Sequence, residues 1–133
     1  MKQTKKILAA FLIFALAFSN ICVSKDALAK SKIVKDSDIK GKHVGLSSIK
    51  SIKLNGSKVT IKACFGTSTK SKKKTFRIVN KPHFYHAEDS WYDNGTVTKK
   101  KFVKLVKESI QNGFPGIHIW IKNNKIVCVG ESA

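Results

Sequence analysis

His83, His86, Glu88, Asp89 and Asp93 fall in one short stretch, His83-Phe84-Tyr85-His86-Ala87-Glu88-Asp89 with Asp93 just beyond. Imidazole and carboxylate are the ligands that zinc and similar ions take, so His83, His86 and Asp89 form the candidate metal-binding set. Their spacing matches no established site, and the chain has no His-Glu-x-x-His helix. Loop histidines more often face solvent or satisfy local hydrogen bonds, so the expectation is no metal and no other cofactor. Glu88, Asp89 and Asp93 are also the only clustered acids after the leader, and two carboxylates flanking one bond are what a glycosidase needs. In so small a domain they serve turns or offset nearby lysines instead, and a small secreted hydrolase stands only as a third reading. Cys64 has neither a helix N-terminus nor a histidine partner in sequence, and no Gly-x-Ser-x-Gly frame supports a serine nucleophile. No catalytic residue is assigned.

Charge is the stronger lead. Lysine and arginine total 26 against 8 acids, a formal net charge of +18. Such an imbalance favours polyanionic partners: anionic cell-envelope polymers, acidic glycans, or nucleic acid without sequence preference. Lys70, Lys72, Lys73 and Lys74 sit in a basic segment that reads as a loop. Lys99, Lys100 and Lys101 fill the first turn of a helix, where positive charge opposes the macrodipole. Lys62 and Arg77 lie on the second and third strands, with the loop lysines nearby, and Arg77 is the only arginine. Tyr85, Trp91 and Tyr92 are candidate stacking platforms for sugars or bases. Their alternative role is packing, as it is for Trp120 opposite Val127.

Residues 98–113 position one side of this surface. Phe102, Leu105, Val106 and Ile110 recur at helical spacing, Thr98 caps the start, Gly113 the end, and Pro115 bars continuation. Residues 117–129 then alternate around Asn123-Asn124, a hairpin. Upstream, residues 44–54 alternate with a one-residue slip that reads as a β-bulge. Asn55-Gly56 marks a tight turn, and Val59, Ile61, Ala63 and Phe65 form a half-buried strand. Residues 75–79 make a short strand that resumes at Phe84-Tyr85 after Pro82, and residues 86–97 read as an irregular connection. Three strands, a helix and two strands is the element order of an OB-type barrel. The expected class is α+β, mainly β: a five-stranded, OB-like, partly open barrel with one helix between the third and fourth strands.

The chain opens with a secretory leader. Lys2, Lys5 and Lys6 precede an apolar run too short to span a bilayer comfortably, and Ala27-Leu28-Ala29 is a cleavage site. The domain reading is therefore 1–29 signal peptide, 30–41 flexible lead-in and 42–133 barrel, with cleavage after Ala29 and a secreted or cell-surface location. Ile21 before Cys22 rules out a lipobox, and no later stretch reads as a transmembrane helix. Cys64 and Cys128 survive processing in a compartment where disulfides persist. Simple alternation puts the two sulfurs on different faces, so a Cys64–Cys128 bond needs a twist or bulge; bond and free thiols both stay open.

The closing pattern, Thr98-Lys-Lys-Lys-Phe102-Val103-Lys-Leu105, then Gly116-Ile-His-Ile119 and Lys122-Asn-Asn-Lys125-Ile126-Val127, resembles small exported proteins of Gram-positive bacteria. Those carry a barrel-like domain of unknown function that opens with a Gly-x-x-x-x-Ile strand; Gly45 to Ile49 here is similar but one residue shorter. The resemblance implies a bacterial surface or secreted setting and carries over no catalytic residue. The expectation is a monomeric, non-enzymatic binding domain for an anionic envelope polymer or acidic glycan, with a protein-binding module or inhibitor as the alternative.

Overall fold

The computed structural model describes Lys32–Ala133; the expected signal peptide and its cleavage site lie outside the described residues. The elements are β1 (Lys32–Val34), a 3-10 turn (Asp36–Asp38), β2 (Lys42–Asn55), β3 (Lys58–Phe65), β4 (Lys72–Ala87), β5 (Trp91–Thr96), α1 (Lys99–Asn112), β6 (Gly116–Lys122) and β7 (Lys125–Ser132).

β2 is the strand that curls the sheet. Its first half pairs with β6 and its second with β3, and Leu46 belongs to both ladders. The slip read from the sequence as one residue is a register shift between Ser47 and Ser51 that leaves two extra residues on β2, and Ser48 there takes φ +48°. β3 pairs onward with β4, β6 with β7, and β4 meets β7 in parallel. The order β4-β3-β2-β6-β7 thus closes on itself. This is a five-stranded α+β barrel with the helix between its third and fourth strands, the connectivity of an OB-type barrel. The parallel seam is interrupted between Ile78 and His83, and there β4 accommodates Pro82, which has no N–H to give a ladder.

The helix plugs the barrel. Thr98 accepts a hydrogen bond from the Lys101 N–H at 3.0 Å, and Gly113 ends the helix at φ +81°, a conformation glycine adopts without strain. Phe102, Val106 and Ser109 are the buried helical positions. Phe102 packs with Val59, Ile61, Ile117, Ile119 and Ile126 in the main core. Ile110, expected on that face, is 37% exposed. The face follows the 102-106-109 line, and Ser109 takes the place read for Ile110.

Two segments read as irregular are ordered strands. β1 pairs with β5, and β5 with β4, so the described part of the lead-in and most of residues 86–97 extend the sheet beyond the barrel. Together they cover the outside of the barrel wall and build a second, smaller core. Ile39, Tyr85, Trp120 and Cys128 are buried there, with Val34, Trp91 and Val127 against them. The Asn94-Gly95 pair, a turn signal in sequence, lies inside β5 with Gly95 at φ +84°.

Candidate functional site

On β3 the side chains of Val59, Ile61, Ala63 and Phe65 enter the core, so Lys58, Thr60 and Lys62 point outward by the period-two rule. On β4, Phe76 and Ile78 point in, which turns Lys73, Thr75 and Arg77 out. The ladder then sets Lys58 opposite Arg77, Thr60 opposite Thr75 and Lys62 opposite Lys73. The two threonine hydroxyls hydrogen-bond at 2.8 Å. On either side of that neutral pair stands a pair of like charges.

The register extends these rows across the barrel. Asn55, Lys58, Arg77, Lys125 and Lys122 fall on one line over five strands. Lys53 joins the threonine row, and Ser51 joins the Lys62–Lys73 row. β2, β3 and β4 contain no aspartate or glutamate. Among the described residues every ion pair involves a histidine, and none a lysine or arginine. A cleft of about 240 Å3 opens on this face between Lys58, Thr75, Phe76, Arg77 and Asn124.

The other expected basic residues are distributed more widely. Lys72 to Lys74 belong to β4 and not to a loop, and only Lys73 shares the face of Lys62 and Arg77. Lys74 lies over the Phe65 ring, 4.9 Å from its centroid, a cation–π contact at the mouth of the barrel. Lys70 is in the loop before β4, where its N–H donates to Ser68 Oγ. Lys99 donates to the Gly56 carbonyl at 3.1 Å and so ties the helix start to the β2–β3 turn. Lys100 is exposed beside it, and Lys101 lines a separate cleft with Phe84, Leu105, Glu108 and Glu131.

The histidine–carboxylate stretch divides instead of converging. His83 pairs with Asp93 at 2.8 Å. His86 lies between Glu88 at 3.4 Å and Glu131 at 3.2 Å, the second approach lacking hydrogen-bond alignment. Asp89 accepts a hydrogen bond from the Tyr92 hydroxyl at 3.1 Å, and that bond pushes the Tyr92 phenol above its ordinary range. Among the described residues no three histidine, cysteine, aspartate or glutamate side chains gather around a point that could hold a metal ion. His83, His86 and Asp89 are therefore not one ligand set.

The stacking candidates also have structural work. Tyr85 is buried, with ring contacts to His83 and Trp120. Burial foremost, and then Cys128 and Asp93, push its phenol up to about 12. Trp91 packs edge-on to Trp120 and His118. Both cysteines are free and buried. Val127 is an extra residue between the pairs Ile121–Ile126 and Trp120–Cys128. That bulge turns Cys128 out of the barrel into the second core, where burial raises its thiol pKa.

One constellation has no local trace in the sequence. His43 Nε2 lies 2.9 Å from His118 Nδ1, and His118 Nε2 lies 2.9 Å from Ser132 Oγ. The two imidazoles stack, and His43 also stacks on Trp120. Burial, and secondarily the neighbouring His43, pull the His118 pKa down to about 4. At neutral pH it is an uncharged ring that accepts on one side and donates on the other, linking β2 to β6 and β7.

Comparison with family models, curated proteins and solved structures returned no match.

Proposed function

We propose that this chain is a secreted or cell-surface, non-catalytic binding domain that holds anionic cell-envelope polymers or acidic glycans on the outer face of β3 and β4. One observation carries this reading: Lys58 faces Arg77 and Lys62 faces Lys73 across a single ladder. Like charges directly opposite one another destabilise a sheet by roughly 0.2–1 kcal/mol per pair. A face shaped only for stability would alternate signs, yet β2, β3 and β4 supply no acid at all. A polyanion lying along the ladder removes the repulsion and gains from it. In an OB-type barrel this is also the customary binding surface. The leader and the resemblance to exported Gram-positive proteins support an envelope setting.

The test is retention of the purified protein on immobilised polyanions across a salt gradient. Binding built on lysine charge falls steeply as salt rises. Absence of retention on every polyanion at low ionic strength, or retention indifferent to salt, contradicts the proposal.

A further inference from the structure

We infer that the cleft beside Arg77 is a phosphate-anchoring subsite, so that the polymer held on this face is a polyol or sugar phosphodiester and not a polycarboxylate. The inference rests on the reading of the β3–β4 face as a polyanion site and names the ligand class for it.

The cleft of about 240 Å3 is walled by three separate segments: Lys58 from β3, Thr75, Phe76 and Arg77 from β4, and Asn124 from the β6–β7 turn. Four of these five residues offer hydrogen-bond donors: a guanidinium fork, an ammonium, a hydroxyl and a carboxamide. Lys125, opposite Arg77 on β7, adds a further positive charge on the same register line. The choice of arginine is informative in a chain where lysine and arginine total 26 and Arg77 is the only arginine. A bias toward lysine accounts for basic residues almost anywhere, but it does not account for the guanidinium at this point. Arginine's planar fork takes two oxygens of one acceptor at once.

Geometry separates phosphate from carboxylate. A carboxylate is planar, and the fork alone uses its two oxygens in that plane. Its remaining lone pairs stay in that plane, so donors of Asn124 and Lys58 that lie off it go without an acceptor; the Thr75 hydroxyl is already paired with Thr60. The two anionic oxygens of a phosphodiester sit on a tetrahedral phosphorus and keep lone pairs out of the plane of the fork as well as in it, toward donors arriving from the neighbouring strand and the turn. A phosphodiester strand continuing from the cleft along the ladder passes the Thr60–Thr75 hydroxyls and reaches Lys62 and Lys73, about 13 Å away at the strand rise per residue. The outward positions on this ladder are Lys58, Thr60, Lys62, Lys73, Thr75 and Arg77, with no aromatic ring among them. Base stacking is a main source of single-strand nucleic acid affinity, so the face suits a phosphodiester polymer of glycerol or sugars better than a nucleic acid.

The test is titration of the full purified protein with poly(glycerol phosphate), polygalacturonate and single-stranded poly(dT) at one low salt concentration, with inorganic phosphate as a competitor. The expected result is tighter binding to poly(glycerol phosphate) than to polygalacturonate by about tenfold, the worth of one charge-assisted bidentate contact. Inorganic phosphate displaces part of it. Arg77→Lys keeps the charge and removes the fork; it abolishes this preference and leaves polygalacturonate affinity within about twofold. Asn124→Gly suits the turn, where Asn124 has φ +61°, and lowers phosphate-polymer affinity without moving the melting temperature. Equal affinity for the two polymers, weakened equally by Arg77→Lys, overturns the subsite while the polyanion reading stands. No binding to any of the three overturns both. Tightest binding to poly(dT) overturns the choice of a base-free polymer.

Discussion

Lys62 and Lys73 are register partners on adjacent strands, both outward and exposed, with no acid on either strand. Such a pair stores repulsion that ligand binding or added salt can relieve. Lys73→Glu turns it into an attractive pair and is expected to stabilise the fold by about 0.5–1 kcal/mol. The same change weakens polyanion binding. A melting curve and a retention assay on one sample check both halves, and the trend in opposite directions is the signature of a face kept for binding.

Gly130 is where the second core has no spare room. A Cβ there meets ring atoms of Trp120 at 3.0 Å and 3.1 Å and of Trp91 at 3.1 Å. Gly130→Ala is expected to cost about 1–3 kcal/mol by overpacking. The loss should be read in chemical denaturation with the β3–β4 face unchanged, so polyanion binding of the folded variant stays at its original strength.

The helix shows how much could be read directly from residue order. Thr98, Gly113 and the Phe102–Val106 spacing specify a capped amphipathic segment through local contacts alone, and the structure has it at Lys99–Asn112. Asn123 and Asn124 both adopt positive φ in the β6–β7 turn, as an Asn-Asn pair between apolar runs suggests. The first hairpin differs by one residue: Asn55 pairs with Lys58, and Gly56-Ser57 make the turn. What was not legible depends on partners far along the chain. Lys72 to Lys74 are poor strand formers, but β3 supplies a ladder and overrides propensity. A single bulge at Val127 reverses the parity of Cys128. β5 is polar and carries a turn signature, so only its place between β1 and β4 makes it a strand. The His43–His118–Ser132 chain has no sequence spacing to recognise, because the two histidines are 75 positions apart.

Phe102 closes the barrel from the helix and has no exposed surface. Phe102→Ala removes a ring from the middle of the aliphatic core and is expected to destabilise by about 3–5 kcal/mol. Denaturant titration measures it, and a loss under about 1 kcal/mol would mean that the helix does not plug the barrel.

Acid should loosen the His118 linkage. Its folded pKa is near 4 against an ordinary 6.5, so between those values the unfolded chain binds a proton that the folded chain does not. His118 therefore has no adverse effect above about pH 6.5, and stability falls as pH drops through the window down to about 4. The ring is only partly buried, which limits the loss to about 1 kcal/mol. Melting temperatures from pH 7.5 to 4 should decline more for the wild type than for His118→Asn. Parallel curves would contradict the assignment.

The proposed polyanion site is the β3–β4 ladder and not the basic surface as a whole. Lys62→Gln/Lys73→Gln removes two charges from the ladder, and Lys104→Gln/Lys107→Gln removes two from exposed helix positions, so the variants have the same net charge. The decisive measurement is the slope of log affinity for an immobilised polyanion against log salt concentration. The ladder variant is expected to lower that slope by about 2, with the helix variant unchanged from wild type. Equal loss in the two variants would show that charge acts diffusely and would contradict the account.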